Sequence, residues 1–529
     1  MEKVLLNLSL VFFVFYFIKK NRHGLHILQL ESFYNDRYLG WIKKNLTQVF
    51  NLKHIVLLVL PLIVLLINYT EYAVLALSLE TVALLILLMV TKKKKEKKPF
   101  VVTARIKRMY VTYLILFVLL FVVANMVDLR ITMAVMAVCG VLSYIFVYIV
   151  NLLNKPVEGS IRKGFCVKAK KKLKSIPGLE VVGITGSYGK TSTKYAVSTI
   201  LSQKYNTLMT PESYNTTMGV VRTINEKLNP MHHLFVCEMG AKYIGDIKEI
   251  TDIVEPKYGI LTAIGPQHLD TFKSIENVSK AKMELVDSLP DDIGLAIVNW
   301  EDENIRKVKF TKNIVKYGLN KEADYYATNI ETGDRGSTFD VVIPGKESIR
   351  IKTKLLGKLY IFNVVCAVAV ADKLGLSADE IKVGAKYLKP VPHRLELRQN
   401  PNGSIIIDDA YNSNIRGASM ALEVLKSFEN KKRILLTPGI VDLGDKAKEI
   451  NKELGKKAAE ASDFIILVGA KQAIPILEGI REKKYPEKNV YIANNLEDAL
   501  RKMNQIIDSN SVVLLENDLP VNYLKKKTE

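Results

Sequence analysis

The stretch VVGITGSYGKTST at residues 181–193 reads as a buried strand that enters a glycine-rich loop and then opens a helix. Small residues in such a loop let backbone N–H groups face an anion, and the helix N-terminus adds partial positive charge. Lys190 would then reach terminal phosphates, and the Thr191 hydroxyl would ligate Mg²⁺. The stretch therefore predicts a polyphosphate site in a nucleotide-using protein.

Apolar runs dominate the first 155 residues of this 529-residue chain. Several of them approach the ~20 residues that a helix needs to cross a bilayer. The runs occupy residues 4–18, 55–68, 72–90, 110–127 and 131–153. We therefore expect a transmembrane region of about five helices within residues 1–155. A signal peptide is the alternative for the first run, but Lys19, Lys20 and Arg22 follow it instead of a small-residue cleavage site.

Positive charge is concentrated in the same part of the chain. The formal net charge is +21, and before residue 179 there are 26 Lys and Arg against 8 Asp and Glu. Lysine-rich stretches follow the first apolar run, fill residues 92–108 and follow the last run at 155–174. The positive-inside rule places all three on the cytoplasmic side. The pattern predicts a multi-pass protein of the cell membrane, with everything after about residue 155 in the cytoplasm.

Nucleic acid is an alternative partner for these lysines. A lysine run between apolar helices more often contacts anionic lipid headgroups, however. We therefore expect the membrane and anionic lipid as partners, and no nucleic acid. The oligomeric state is not indicated by the sequence.

Cysteine and histidine spacings argue against a zinc or disulfide protein. The four cysteines show no C-x-x-C pair, and the seven histidines show no H-x-x-x-H pair. Neither a disulfide framework nor a catalytic zinc is expected.

Beyond Pro177, short β-rich runs alternate with helical patterns, which is typical of a mostly parallel sheet covered by helices. After a basic linker at 156–178, one such series lies within residues 179–388 and a second within 389–529. Strands of the second series are expected at residues 405–408, 433–437, 464–469, 490–493 and 512–515. The predicted fold is thus an N-terminal α-helical transmembrane region followed by two α/β domains.

Two polar residues fall where doubly wound sheets present functional groups. Glu238 ends the strand LFVCE, and His268 follows GILTAIGPQ. Either residue could be structural, because strand-end carboxylates are often solvated and isolated histidines are often only hydrogen-bonded. Their position downstream of a phosphate loop favours Mg²⁺ ligation, which requires ligands beyond Thr191.

Eight short motifs make residues 180–515 resemble the Mur ligase family, most closely its D-alanyl-D-alanine-adding members. The motifs occur in family order: TGSYGKTS at 185–192, SYNTTMGV at 213–220, CEMGA at 237–241, GPQHLDTF at 265–272, AKME at 281–284, VNWED at 298–302, PHRLE at 392–396 and DDAYNSN at 408–414. Each motif is weak alone, but eight in register are specific. The resemblance implies a P-loop central domain and a Rossmann-like C-terminal domain.

The resemblance also implies an ATP site shared by the two α/β domains. Its ATP-binding residues would be Thr185, Gly186, Ser187, Gly189, Lys190, Thr191, Ser192, Asn299, Arg394 and Asp409. Asn299 would meet the adenine. Arg394 and Asp409 would reach ATP from the second domain, so closure of the two domains should assemble the site.

Two Mg²⁺ ions are implied as cofactors beside ATP. The implied metal ligands are Thr191, Glu238, His268 and Lys282, and the implied catalytic residues are Lys190, His268 and Lys282. Lys282 matches a lysine that the family carbamylates, which turns a cation into an anion that can hold metal. These roles suit the chemistry, since ATP requires cations and the metals require oxygen ligands.

The implied reaction is ATP-dependent amide formation through an acyl phosphate. The partners would be a muramoyl peptide and an amine such as D-alanyl-D-alanine, as in peptidoglycan precursor synthesis. Substrate contacts would come from Asn215, Thr216, Thr217, Tyr411 and Asn414. Catalysis of this kind depends mainly on positioning and charge neutralisation.

Three departures from the family pattern concern the substrates. Membrane helices stand where a UDP-sugar-binding domain is expected, so the substrate could be UDP-linked or lipid-linked. The family's GKHN reads GKLY at 357–360, and its terminal LLKGSR is replaced by LLENDLP at 514–520. Another membrane-associated ligase, such as a poly-γ-glutamate synthase, and a non-catalytic nucleotide-binding membrane sensor are the alternative functions.

Overall fold

The computed structural model describes residues 2–67, 69–90, 99–333, 336–410, 415–441, 443 and 446–517. The chain divides into two units, residues 1–164 and 165–529. The first unit is helical and the second holds both sheets, so the predicted fold class is confirmed.

The described residues of the five apolar runs are helical, and the run at 131–153 is divided between two helices. The helices of the first unit are α1 (Glu2–Leu30), α2 (Asn35–Lys44), α3 (Leu46–Val49), α4 (Leu52–Ile67), α5 (Tyr69–Val90), α6 (Ala104–Val127), α7 (Leu129–Val141) and the first part of α8 (Ser143–Lys174). Helix α8 continues through residues 156–174, where the sequence suggested a basic linker.

Fewer helices than expected are long enough to cross a membrane. Within the described residues, the spans Val4–Leu30, Tyr72–Met89 and Ala104–Val123 have the required length and apolarity. Helices α7 and α8 meet at a bend of 84°. If this bent pair is counted as one span, the number of candidate spans is four. Helix α4 has only 16 residues, with Pro61 inside it. By length and composition, the described residues thus offer three or four spans, and the expectation of about five transmembrane helices stays a prediction.

Aromatic and polar contacts join the helices of this unit. The Phe17 ring lies 5.2 Å from the Phe117 ring, centroid to centroid, which joins α1 to α6. Lys20 donates to the Gly140 carbonyl at 2.8 Å, and Arg108 pairs with Glu158 at 2.6 Å. Buried charges need such partners, since an unpaired one is costly away from water.

The central domain is built on a nine-stranded sheet of order β2-β3-β1-β4-β5-β6-β7-β8-β9. Its strands are β1 (Glu180–Thr185), β2 (Thr207–Met209), β3 (Leu234–Glu238), β4 (Tyr258–Leu261), β5 (Leu295–Asn299), β6 (Ile314–Gly318), β7 (Tyr325–Gly333), β8 (Gly336–Val342) and β9 (Ile349–Thr353). Pairing is parallel from β2 to β7 and antiparallel from β7 to β9. The carboxyl ends of β1, β3, β4 and β5 therefore meet at one edge.

Helices cover both faces of this sheet. They are α9 (Lys190–Leu201), α10 (Thr217–Lys227), α11 (Asp246–Val254), α12 (Leu269–Phe272), α13 (Ile275–Asp287), α14 (Glu303–Arg306), α15 (Lys358–Lys373) and α16 (Ala378–Lys386). Helices α9 and α15 pack in one apolar core, and α10, α11 and α13 in another. Ala169 and Leu173 at the end of α8 belong to the second core.

The C-terminal domain has a six-stranded sheet of order β10-β11-β15-β12-β13-β14. Its strands are β10 (Glu396–Gln399), β11 (Ile405–Asp409), β12 (Lys432–Thr437), β13 (Phe464–Val468), β14 (Val490–Ala493) and β15 (Ser511–Glu516); its helices are α17 (Ile415–Lys426), α18 (Ala447–Ala461), α19 (Ala470–Glu482) and α20 (Leu496–Ile506). All pairs are parallel except β10 with β11. Every strand expected in the second series is present.

Candidate functional site

The phosphate loop occupies residues 186–189, between β1 and α9, and its shape requires glycine. Gly186 has φ +148°, and a Cβ there would lie 2.1 Å from Thr262 Oγ1 and 2.8 Å from the Ala263 nitrogen. Gly189 has φ +81° immediately before α9 begins at Lys190. Both residues adopt backbone conformations that are costly for a side chain. The loop thus presents its backbone at a helix N-terminus, which is suited to an anion.

The phosphate loop is fixed to the segment that follows β4. The Ser187 nitrogen donates to the Ala263 carbonyl at 2.8 Å, and the Ser187 hydroxyl donates to the Gly265 carbonyl at 3.0 Å. The Tyr188 hydroxyl donates to the Pro266 carbonyl at 3.0 Å. This segment leads to His268, which is half-buried and has a left-handed backbone, φ +53°, before α12. The motif GPQH is thereby joined to the phosphate loop.

Lys190 lies over the loop that precedes it. Its Nζ atom donates to the Gly186 carbonyl at 2.6 Å and to the Ser187 carbonyl at 3.3 Å. Desolvation lowers the pKa of Lys190 to about 8, with Glu238 opposing the shift and Arg394 adding to it. Lys190 therefore lies in the electrostatic field of groups from both α/β domains.

Glu238, at the end of β3, accepts hydrogen bonds from helix α9 and from the loop that precedes α10. Its Oε1 atom accepts from the Thr191 hydroxyl at 3.2 Å and from the Asn215 amide at 2.9 Å. Its Oε2 atom lies 3.0 Å from Lys194 Nζ. Burial raises the pKa of Glu238, but Lys194, Lys190 and the Asn215 hydrogen bond outweigh it, and the net shift is downward. The group is therefore a carboxylate, and its contact with Thr191 provides two oxygens of the kind that Mg²⁺ prefers.

Lys194 was not expected from the sequence as a site residue. It lies one helical turn after Lys190 on α9, and this i,i+4 spacing is a signal that could have identified it.

Lys282 lies on α13 and is almost completely buried, with 2% of its surface exposed. Desolvation, followed by the charge of Lys190, holds the pKa of Lys282 well below its usual range, against the influence of Asp246 and Glu284. A lowered pKa increases the share of the neutral, nucleophilic amine. The Glu284 carboxylate itself accepts hydrogen bonds from backbone N–H groups at the start of α11.

Two asparagines lie near the loop, one expected and one not. Asn299 ends β5; its amide donates to the Thr262 carbonyl at 2.8 Å and its oxygen accepts from the Glu301 nitrogen. Asn363, on α15, accepts from the Thr193 hydroxyl at 3.0 Å. The Asn363 amide nitrogen is buried and has no partner among the described residues. A single asparagine in the apolar helix α15 is the sequence signal that was missed.

The C-terminal domain contributes Arg394 and Asp409. The Tyr360 hydroxyl of α15 donates to the Arg394 carbonyl, and Asp409, at the end of β11, accepts from the Leu395 nitrogen at 3.1 Å. Arg394 influences the pKa of Lys190 and of Asp409, and burial raises the pKa of Asp409. The charge of Arg394 therefore acts on the phosphate-loop lysine and on Asp409 of its own domain.

The remaining predicted residues contact the central domain itself. The Thr185 hydroxyl donates to the Met239 carbonyl, and Ser192 is buried in α9. Thr216 caps α10 by accepting from the Gly219 nitrogen, and the Thr217 hydroxyl donates to Glu249 at 2.6 Å. Tyr411 and Asn414 lie outside the described residues.

Comparison with known proteins matches both α/β domains to one family. Residues 184–371 match the Mur ligase middle domain, and residues 393–516 match the Mur ligase, glutamate ligase domain. The Escherichia coli (strain K12) UDP-N-acetylmuramoyl-tripeptide–D-alanyl-D-alanine ligase is 32% identical over 308 residues, which cover 57% of this chain and 67% of that protein. The Bacillus subtilis (strain 168) enzyme of the same name is 28% identical over 53% of this chain and 60% of its own.

Solved structures show the same similarity. A crystal structure of MurF from Acinetobacter baumannii superposes with a TM-score of 0.61 and 28% identity, covering 67% of this chain and 77% of that one. The MurF ligase from Thermotoga maritima, solved in complex with ADP, shares the fold with a TM-score of 0.60 at 24% identity, over 68% of this chain and 80% of that one. The chain thus matches about two thirds of the length of its curated relatives.

Proposed function

This chain belongs to the Mur ligase family, and on that premise we propose that it joins a muramoyl-peptide carboxylate to D-alanyl-D-alanine or a related amine. Membership confirms the resemblance seen in the motifs and the expected enzyme class, because the relatives are named as ligases. The contact of the Thr191 hydroxyl with Glu238 beside the phosphate loop carries the proposal, together with the charge of Lys190 acting on both Glu238 and Lys282.

The residues of this edge suit attack of a carboxylate on ATP. The substrate carboxylate attacks the γ-phosphorus, the bond to ADP breaks, and an acyl phosphate forms. The amine then adds to the acyl carbon, and phosphate leaves as the tetrahedral intermediate collapses. Lys190 and Arg394 neutralise the phosphates, and the loop backbone orients them. Thr191 and Glu238 would hold Mg²⁺, which supplies further charge neutralisation when bound.

Lys282 takes part in this proposal as a carbamate. A neutral amine adds to CO₂ and releases one proton, so the burial that lowers the pKa of Lys282 favours the reaction. The product is an anion beside Lys190, where it would ligate a second Mg²⁺. His268 is assigned to the same metal and γ-phosphate region, since its segment is hydrogen-bonded to the phosphate loop.

The long apolar helices are compatible with membrane insertion, and we extend the proposal to a lipid-linked muramoyl substrate. We assign the first unit to the cell membrane and the α/β domains to the cytoplasm, where ATP is available. Basic residues at 92–108 and 155–174 favour a surface with anionic lipid. Confinement of enzyme and substrate to one surface raises their effective concentration.

The function is tested by ADP release from the full-length protein in detergent. Muramoyl tripeptide is supplied with D-alanyl-D-alanine, glutamate or ammonia as the amine. We expect ADP release that requires both the tripeptide and D-alanyl-D-alanine or a close analogue. Turnover with glutamate alone would favour a poly-γ-glutamate synthase. Nucleotide binding without ADP release under any condition would favour a sensor.

A further inference from the structure

The ammonium of Lys194 lies inside the site but has no part in the reaction described above. Its side chain is fully buried, and its Nζ atom lies 3.0 Å from Glu238 Oε2. The same ammonium donates to the backbone carbonyl of Glu212. Lysines are almost never fully buried unless they are paired, so Glu238 is the reason that this one is tolerated.

The two oxygens of Glu238 have different kinds of partner. Oε1 accepts from two neutral donors, the Thr191 hydroxyl at 3.2 Å and the Asn215 amide at 2.9 Å. Oε2 accepts from the charged Lys194. Hydrogen bonds with an ionised donor are roughly twice as strong as neutral ones. A divalent cation therefore displaces the partners of Oε1 more readily than the partner of Oε2.

We propose that Lys194 is a positioning residue that reserves Glu238 Oε2 and leaves only Oε1 to a metal ion, so that the site selects Mg²⁺ over Ca²⁺. The inference rests on the proposed function, because it takes Glu238 and Thr191 as metal ligands. Mg²⁺ requires a small octahedron with few carboxylate oxygens, whereas Ca²⁺ takes about six to eight oxygen ligands and accepts a carboxylate through both of them. A carboxylate limited to one oxygen suits the smaller ion.

The hydrogen bond from Lys194 to the Glu212 carbonyl connects Lys194 to the loop of residues 213–217, which holds predicted substrate contacts. Glu212 has a left-handed backbone, φ +43°, and precedes residues 213–217, which include Asn215. The Asn215 amide in turn donates a hydrogen bond to Glu238. Lys194 thus fixes the carboxylate and the loop that contacts it, so the orientation of Glu238 does not depend on the metal.

The test compares Mg²⁺ and Ca²⁺ affinity in the full-length protein. Mn²⁺ binding is followed by electron paramagnetic resonance at saturating non-hydrolysable ATP analogue, and Mg²⁺ or Ca²⁺ is titrated as competitor. The nucleotide analogue has its own preference among metal ions, but that preference is the same in every variant and does not affect the comparison. In Lys194→Met we expect the ratio of the Ca²⁺ to the Mg²⁺ dissociation constant to fall by about tenfold, comparable to the smaller effects that partners of metal ligands have on metal affinity. Lys194→Arg, which retains a cation, should keep the wild-type preference for Mg²⁺.

The matched control is Lys248→Met, which removes an exposed lysine paired with Asp252 and should leave the ratio unchanged. If Lys194→Met does not fold, Lys194→Gln replaces it, because a neutral amide holds Oε2 less firmly and moves the ratio in the same direction. A wild-type ratio in either folded variant overturns the inference. If the wild-type protein binds neither Mn²⁺ nor the analogue, the proposed function itself is wrong, which is a distinct outcome.

Discussion

Lys190 is the residue whose loss should separate catalysis from folding most cleanly. Among the described residues, its ammonium donates to two loop carbonyls, and its side chain is half-buried rather than part of a core. We expect Lys190→Ala to abolish ATP turnover while the unfolding temperature stays close to that of the wild type. ADP release and thermal unfolding measure the two quantities. Near-normal turnover in a folded variant would show that this loop is not the phosphate site.

Lys282 gives a second prediction at the scale of single residues. If it acts as a carbamate, Lys282→Ala should be nearly inactive, and a small carboxylate such as acetate should partly restore turnover by supplying an anionic oxygen near the metal. Turnover is measured with and without added acetate. For the wild-type enzyme, equal activity with and without bicarbonate after exhaustive removal of CO₂ would contradict the carbamate.

At the scale of elements, the phosphate loop depends on the absence of a side chain at Gly186. In Gly186→Ala the new Cβ would lie 2.1 Å from Thr262 Oγ1 at φ +148°, so the loop must move. We expect lost nucleotide binding and a reduction of about 1–3 kcal/mol in the free energy of unfolding. Analogue binding and denaturant unfolding measure these effects.

The control for this substitution is Gly159→Ala in helix α8, where a Cβ would meet nothing within 4 Å. Its nucleotide affinity should equal that of the wild type. If Gly186→Ala bound nucleotide as well as Gly159→Ala does, the loop conformation described here would be wrong.

Sequence patterns were most informative where structure is local. The strand, loop and helix around residues 181–193 could be predicted because glycine placement and the apolar run lie within one short stretch. The strands of the C-terminal domain were predictable for the same reason. The break between α7 and α8 was not, because the run 131–153 is mostly apolar on both sides of the break and hydropathy does not report an 84° bend.

Residues that act through long-range contacts were the ones missed. Lys194 is hydrogen-bonded to Glu238, which lies 44 positions away in the sequence, and Asn363 is hydrogen-bonded to Thr193, which lies 170 positions away. Such pairs depend on parallel strand order and helix packing, so a local signal such as the i,i+4 spacing of Lys190 and Lys194 could identify the residue but not its partner. Glu238 was found because its place at a strand end is itself a local signal.

At the scale of the whole molecule, the helical unit should determine which form of the substrate is used. We expect the full-length enzyme in vesicles to have a higher kcat/KM for polyprenyl-linked than for UDP-linked muramoyl tripeptide, because enzyme and substrate share one surface. A chain beginning at Phe165 retains Ala169 and Leu173 in its core and should lose that preference. If both forms of the enzyme used the UDP-linked substrate equally well, without preferring the lipid form, the proposed membrane substrate would be wrong.

The central claim is that a carboxylate is activated by ATP as an acyl phosphate. The most direct measurement supplies muramoyl tripeptide labelled with ¹⁸O in the reacting carboxylate, together with ATP and D-alanyl-D-alanine, and analyses the released phosphate by mass spectrometry. Attack of the carboxylate on the γ-phosphorus transfers one labelled oxygen to phosphate when the amine displaces it. The account predicts one ¹⁸O in phosphate for each amide formed. Amide formation with unlabelled phosphate would contradict it.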